Sequence, residues 1–274
     1  GITFEEPTKF GVTVKVSSGE IWDHVVAECV QHGLWGVENL SHIPGRSGAF
    51  VVQNVGAYGQ EASQIIKEVE VFDTVDGEIK ILENADCNFN YRSSIFNREQ
   101  KNRYVILGIT LQLSETPKPN LSYGDIAKYF EGRQGDTIDQ AEIRSAVIQI
   151  RNKKFPFPNE AKGGSAGSFF RGPLLNPVEF AQLQATIAKK FKEETVLKFE
   201  KMVDRLKVSG GYKTPAGFLI EICDLKGLQI GGAKINETQA AVILNATGKA
   251  TAKDVMALYQ EVQSTVFEKT GVGL

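Results

Sequence analysis

Apolar and polar residues alternate in VTVKV, residues 12–16, the period of a strand with one buried face. The period then lengthens. In SGEIWDHVVAECVQHG, Ile21, Val25, Val26, Cys29 and Val30 share one side of a helix, with Ser18 expected to cap its start and Gly33 its end. EVEVFDTVDGEIKIL, residues 68–82, reads as two strands joined at Asp76-Gly77, a strong hairpin dipeptide, and RYVILGITLQL at 103–113 as a further strand. Residues 1–115 are therefore strand-rich with short helices.

Beyond this point the texture changes. SETPKPN at 114–120 reads as a linker or crossing loop, and Thr137 with Gln140 predicts a capping box opening the helix IDQAEIRSAVIQIR. Asn176 before Pro177 starts a helix through Phe191, and Thr251 with Asp254 starts a last one with Val255, Leu258, Val262 and Val266 as its buried stripe. LQIGG and AAVILN are short strand candidates between them. The pattern is that of an α+β protein.

A chain of 274 residues, 42% hydrophobic and 23% charged, supports two modest cores. No apolar run approaches the roughly 20 residues of a membrane helix, so no membrane partner is expected. A net charge of −2, with both signs interspersed, offers no broad basic face and argues against nucleic acid. Cys29, Cys87 and Cys223 are odd in number and lack CxxC spacing, and no signal-peptide pattern follows Gly1; a reducing, cytoplasmic home is expected. His24, His32 and His42 lack metal-ligand spacing and read as surface or core histidines.

Five stretches could carry chemistry. NLSHIPGRSGAFVVQNVGAYGQE, residues 39–61, repeats glycine around Gln53 and Asn54; such turns let backbone N–H groups approach an anionic or planar ligand, although neither a dinucleotide fingerprint nor a phosphate-loop lysine is present. NYRSSIF at 90–96 sets Arg92 beside Tyr91, taken alone a surface ion-pair pattern. SYGD at 122–125 reads as a turn with Tyr123 at least partly exposed, and RNKKFPFP at 151–158 ends a helix with Arg151 and Lys154 complementing its dipole. In GGSAGSFFRGP, at 163–173, a flexible run meets Phe169 and Phe170, both expected as core anchors, with the Ser168 hydroxyl at the joint.

Taken together, the order and spacing of GLWGVENLSHIPGRSGAFVVQNVGAYGQE, NFNYRSSIF, SYGDI, IRNKKFPFP, GSAGSFFRGP and AGFLIEICDLKGLQIGGAKINETQAAVILN resemble one family over nearly all of the chain. It is the UDP-N-acetylenolpyruvoylglucosamine reductases (MurB), in the subtype with a tyrosine loop. The resemblance implies an α+β fold in which the second FAD-binding subdomain of the MurB/VAO-type flavoprotein fold is followed by a MurB C-terminal-type α+β substrate domain. The corresponding expectation is an FAD-binding domain at 1–155 and a substrate-binding domain at 156–274. It further implies FAD and NADPH as cofactors and a UDP-sugar as the small-molecule partner, the reaction giving UDP-N-acetylmuramate for peptidoglycan, cell-wall growth, cell shape and division. A monomer is expected.

Residue by residue, the resemblance assigns Ser168 as proton donor and Arg92 as the fixed cation that polarises the substrate carboxylate. Tyr91, Tyr123, Arg151, Lys154, Arg171 and Gln239 fall on substrate-side positions; Ile43, Ala49, Val52, Gln53, Asn54, Gly56 and Tyr58 fall on the flavin-lining stretch. The chain departs from the family at Ser47, Val51 and Gly172, where valine, proline and asparagine are usual; glycine at 172 removes one side-chain amide. The family's GGGSN-like pyrophosphate loop and LEPE-type glutamate segment are not in this sequence, so the expectation is a piece of a longer enzyme that retains FAD weakly by itself. Two rival readings are another FAD-linked oxidoreductase of this architecture and a non-catalytic nucleotide-sugar binding module.

Overall fold

Ile2–Phe4 (β1) pairs antiparallel with Val12–Ser17 (β2), and the alternation buries Val12, Val14 and Val16 while Lys15 faces solvent. These coordinates are a computed structural model that describes residues 1–154, 164–165, 167–208 and 210–274, the side chain of Asp136 excepted. Contacts divide it into two units, Gly1–Arg151 and Asn152–Leu274.

In the first unit, helix Trp22–Gln31 (α1) buries Val25, Val26 and Cys29 as its spacing requires. Two details correct the sequence reading. Ile21 is half exposed at the N-cap and Trp22 takes the core position, its indole N–H donating to Leu40 O at 2.9 Å and its ring stacked 3.6 Å from Phe50. Ser18 is no cap; its carbonyl accepts the N–H of Gly48, in Ser47–Val52 (α2), where the glycine-rich sequence had suggested turns alone. Gly33 does close α1, in the left-handed region at φ 74°.

Gly56–Ala57 (β3) and Gln60–Glu61 (β4) form a small hairpin with Tyr58 and Gly59 at its tip. Ile66–Asp73 (β5) and Glu78–Glu83 (β6) are the hairpin expected around Gly77, whose φ is 75°. Tyr104–Leu113 (β7) pairs with both β2 and β5, completing an antiparallel sheet ordered β1-β2-β7-β5-β6. Its core joins Val14, Trp22, Val26, Leu40, Val51, Val69 and Leu111, with Cys29 and Cys87 fully buried among them. Asp73, at the end of β5, is shielded from solvent by Lys80 at 2.8 Å and by Arg103, whose Nη2 lies 2.7 Å away.

Gly124–Tyr129 (α3) and Gln140–Lys154 (α4) build a second, smaller core from Trp35, Tyr58, Ile126, Phe130, Ile143 and Val147. The cap of α4 is Asp139 and not Thr137: Asp139 Oδ1 accepts the Glu142 N–H at 2.7 Å, while Glu142 accepts that of Asp139 at 3.2 Å. Thr137 instead donates to the Gln134 carbonyl. The last residues of α4, Asn152 to Lys154, cluster with the second unit.

The second unit opens on Leu174–Leu175 (β8). It continues through Pro177–Lys190 (α5), Glu193–Glu200 (α6), Val203–Leu206 (α7), Lys207–Val208 (β9), Gly211–Lys213 (β10) and Ala216–Ile222 (α8). Gln229–Ile230 (β11), Ala233–Ile235 (β12), Ile243–Asn245 (β13) and the long Ala252–Thr270 (α9) complete it. Asn176 starts α5 as expected, through a capping box with Glu179 that the reading did not name, and Thr251 caps α9 with its expected partner Asp254. Leu258, Val262 and Val266 are buried in α9, while Val255 is only partly so and Thr270 joins the stripe. Cys223 lies in this second core. Of the paired phenylalanines only Phe170 is an anchor, at 5% exposure; Phe169 is 46% exposed, its ring centroid 6.0 Å from that of Tyr259. Phe155 to Pro158, Gly163 and Ala166 of the quoted motifs, and the 155/156 boundary, lie outside the described residues.

Candidate functional site

In the first unit the glycine-rich stretch is organised by a turn 36 residues away. Asn90 and Ser93 pair across a tight turn whose tip is Tyr91-Arg92, with Arg92 in the left-handed region at φ 51°. Arg92 donates through Nη2 to Gly56 O at 2.6 Å and through Nη1 to Asn54 O at 3.4 Å, and its guanidinium lies 5.4 Å from the Tyr91 ring. It is thus a cation held on backbone carbonyls and not the surface ion-pair residue its local sequence suggests. A Cβ at 56 would come 2.9 Å from Arg92 Nη1, so a larger residue there would push the guanidinium off these carbonyls.

Asn54 is buried, and its amide is spent internally: Nδ2 donates to Glu61 and to Asn90 O, both at 3.1 Å, while Oδ1 accepts the Ser63 N–H at 2.9 Å. Its side chain fixes the turn. Ala49 and Gln53 are exposed and Ile43 and Val52 half-buried. The departures at 47 and 51 are absorbed in the fold: Ser47 is buried with its hydroxyl on Glu20 O, and Val51 lies in the core.

Tyr58, at the hairpin tip, is buried in the α3–α4 core, with its ring 5.3 Å from that of Tyr123, edge to face. Tyr123 is 44% exposed at the N-cap of α3. Arg151 is buried as well, contrary to a solvent-facing role on the helix dipole; its Nε donates to His42 O at 2.8 Å and its guanidinium hydrogen-bonds the Tyr58 phenol. Burial pushes the Tyr58 phenol up to about 12, with Arg151 opposing, and burial pulls the Arg151 pKa down. Asp23 completes the group: it receives Arg144 in a bidentate pair, at 2.6 and 3.0 Å, and the His42 N–H. Tyr58, Tyr123 and Arg151 are therefore brought together, and Tyr91 and Arg92 form a second group with Gly56.

The second unit gathers its own set on one turn. Asn236 Nδ2 and Thr238 Oγ1 donate to the Lys154 carbonyl at 2.9 and 2.8 Å, Ser168 bridges to Val242, and the N–H groups of Phe169 and Phe170 both donate to Ala241 O, at 2.7 and 3.1 Å. Gln239 lies within that same turn, half-buried, its Oε1 facing Gly217. Lys154, Ser168 and Gln239 thus share one scaffold, Asn236 to Val242. Ser168 and Arg171 are exposed. The scaffold residues Asn236 and Thr238 escaped the sequence reading, as did Asp23 and Asn39; the polar NETQ between two apolar stretches was the available signal.

Two known sequence families each match within one of the two units. The model of the FAD binding domain matches residues 6–83, and that of the UDP-N-acetylenolpyruvoylglucosamine reductase C-terminal domain matches residues 158–274. A flavin-binding antiparallel sheet followed by an α+β domain defines a class of flavoprotein. Among relatives named UDP-N-acetylenolpyruvoylglucosamine reductase, that of Neisseria meningitidis serogroup A is 41% identical over 264 residues, covering 96% of this chain and 72% of its own length. That of Photobacterium profundum is 36% identical, covering 99% and 73%. The chain belongs to the UDP-N-acetylenolpyruvoylglucosamine reductase (MurB) family. A crystal structure of the MurB of Thermus caldophilus shares the fold, with a TM-score of 0.57 at 24% identity over 91% of this chain and 68% of that one.

The first unit's residues fit FAD. Ala49 is exposed and small, Val52 half-buried and aliphatic, Gly56 has no Cβ, and Arg92 supplies a cation. Among the described residues no group of histidine, cysteine and carboxylate side chains could hold a metal, and no helix is long and apolar enough to cross a membrane.

Proposed function

We propose that the protein reduces the enolpyruvyl group of UDP-N-acetylglucosamine enolpyruvate to the lactyl ether of UDP-N-acetylmuramate, with FAD and NADPH, as a cytoplasmic monomer serving peptidoglycan synthesis and hence cell shape and division. Residues 1–155 bind the flavin and 156–274 the nucleotide sugar. FAD, when bound, relays a hydride from NADPH to the substrate double bond. Hydride addition at one carbon leaves an enolate on its neighbour, so the protein must hold the carboxylate, stabilise the charge and deliver a proton.

Ser168 gives that proton. What supports this is its exposed hydroxyl on a backbone held from both sides, by the bridge to Val242 and by the two N–H bonds to Ala241 O. An alcohol is a poor acid, so fixed geometry must do what pKa does not. Arg92 holds the carboxylate; two of its five N–H groups are engaged by backbone carbonyls, which fixes the plane of the others. Lys154, Gln239, Arg171, Tyr91, Tyr123 and Arg151 are assigned to the sugar nucleotide. Ile43, Ala49, Val52, Gln53, Gly56 and Tyr58 line the flavin, and Asn54 shapes their turn.

The observation that carries the reading is that one turn, Asn236 to Val242, bears Gln239 and holds the backbone of both Lys154 and Ser168 in a family member. The experiment is the two half-reactions of the purified holoenzyme with Ser168→Ala. Flavin reduction by NADPH should persist, while reoxidation by the enolpyruvyl sugar should slow by about 10²–10⁴-fold. Equal reoxidation rates in parent and variant would remove Ser168 from the mechanism, and NADPH oxidation indifferent to the sugar would favour another flavin-linked oxidoreductase.

A further inference from the structure

Asn39 is a buried residue between Glu38 and Leu40, at 0% exposure. Its Nδ2 donates to two carbonyls distant in sequence, Tyr58 O at 2.8 Å and Asn120 O at 2.9 Å. Asn120 returns the contact: its own Nδ2 donates to Gly59 O at 2.9 Å, and its Oδ1 accepts the hydroxyl of Ser122 at 2.7 Å and the Ser122 N–H at 3.3 Å. Three hydrogen bonds thus lock the tip of the β3–β4 hairpin to the segment that runs into Tyr123. Gly59 permits the approach, being left-handed at φ 85°, with a Cβ there only 3.2 Å from Asn120 Nδ2.

Among the described residues the Asn39 Oδ1 is buried without a partner, which is unfavourable. An apolar residue of similar size would remove that orphan but leave Tyr58 O and Asn120 O without their donor, so the side chain is kept for the link it makes. What asparagine adds is a two-pronged donor that sets the spacing between two loops, and the outcome is the 5.3 Å edge-to-face contact of Tyr58 with Tyr123.

We propose that Asn39 and Asn120 are positioning residues that clamp the Tyr58 hairpin to the Tyr123 segment and thereby set where Tyr123 meets the nucleotide sugar. The inference rests on the reading of Tyr58 as flavin-lining and Tyr123 as substrate-covering. Neither asparagine touches substrate; each acts through the loops it joins.

The test uses the holoenzyme and a matched control. Asn84 is a similar clamp in the same unit, its Nδ2 donating to Ser63 O at 2.9 Å and Ile66 O at 2.6 Å, away from both tyrosines in sequence. Asn39→Leu and Asn120→Ala should each raise KM for the enolpyruvyl UDP-sugar by about tenfold, the factor that goes with roughly 1.4 kcal/mol, while NADPH reduces the flavin within about twofold of the parent rate. Amide exchange across residues 120–127, including the Ala127 N–H on Tyr123 O, should quicken in both variants. Asn84→Leu should do neither, whatever it does to melting.

Unchanged exchange at 120–127, or equal acceleration in Asn84→Leu, would overturn the clamp. Faster exchange with an unchanged KM would overturn its part in substrate binding. Should the parent protein fail to turn over the sugar, the functional reading falls, and the exchange comparison still decides whether the two asparagines hold the tyrosines.

Discussion

Gly172 stands where the family usually has asparagine, and the structure turns that departure into a quantitative question. A Cβ at 172 would meet Thr214 O at 2.5 Å, with Thr214 C at 3.5 Å and Ala216 N at 3.6 Å behind it. The φ of Gly172 lies outside the left-handed region, so the objection is steric alone. The obstacle is backbone, and Thr214 is tied at its own N–H to Pro173 O at 2.9 Å, so it cannot turn aside. The contact falls about 1 Å short of the usual separation of roughly 3.5 Å. Relieving such overpacking costs about 1–3 kcal/mol, whereas a regained substrate hydrogen bond contributes about 1 kcal/mol. The clash wins. Gly172→Asn should lower the melting midpoint by roughly 2–12 °C and leave UDP-sugar affinity no better than the parent's. Gly172→Ala, which adds the Cβ without the amide, should melt in the same range. Calorimetric melting with substrate titration measures both. An asparagine variant as stable as the parent that binds the sugar more tightly would refute the argument, showing that the β8–β10 region yields to side chains at 172.

Two further outcomes follow from charge and burial. Hydrogen bonds from Arg103 and Lys80 hold the Asp73 carboxyl well below the usual carboxylate range, so its stabilisation is complete above the unfolded value of about 3.9 and is lost as pH falls through the native value. Melting of the parent should therefore fall steeply below about pH 4, and Asp73→Asn should flatten that slope; a parallel acid profile would exclude Asp73 as its source. Tyr58 is raised to about 12 on folding, so its contribution is full below the unfolded value of about 10 and declines as pH rises between the two. Because Arg151 opposes that rise, Arg151→Met should move the Tyr58 titration, read as the ultraviolet difference from Tyr58→Phe, further upward; a downward shift would contradict the contact.

The legible parts of the sequence were those settled within a few residues. Asp76-Gly77 closes a hairpin, and Asn176 and Thr251 cap helices through partners three residues on, because turn and cap chemistry is local. Where two local candidates competed, only one took the place: Trp22 and not Ile21 is buried, Asp139 and not Thr137 caps, and Phe170 is buried while Phe169 stays exposed. The site residues were found through resemblance, since nothing adjacent to Arg92 reveals that its guanidinium rests on Gly56 O, nor anything beside Arg151 that it is buried on His42 O. Asn39 was missed for the same reason. Its partners lie 19 and 81 residues away, and no periodicity encodes them.

The three thiols also divide usefully between the units. Burial raises Cys29 and Cys87 to about 12 and Cys223 to about 11, so in the native protein almost none is present as the nucleophilic thiolate. Alkylating reagents would therefore tag a cysteine only when its surroundings come apart. With two such sites in residues 1–151 and one in 152–274, mass spectrometry of pulse-labelled fragments becomes an unmodified clock for each half, timing their separate excursions from the folded state without a single engineered probe.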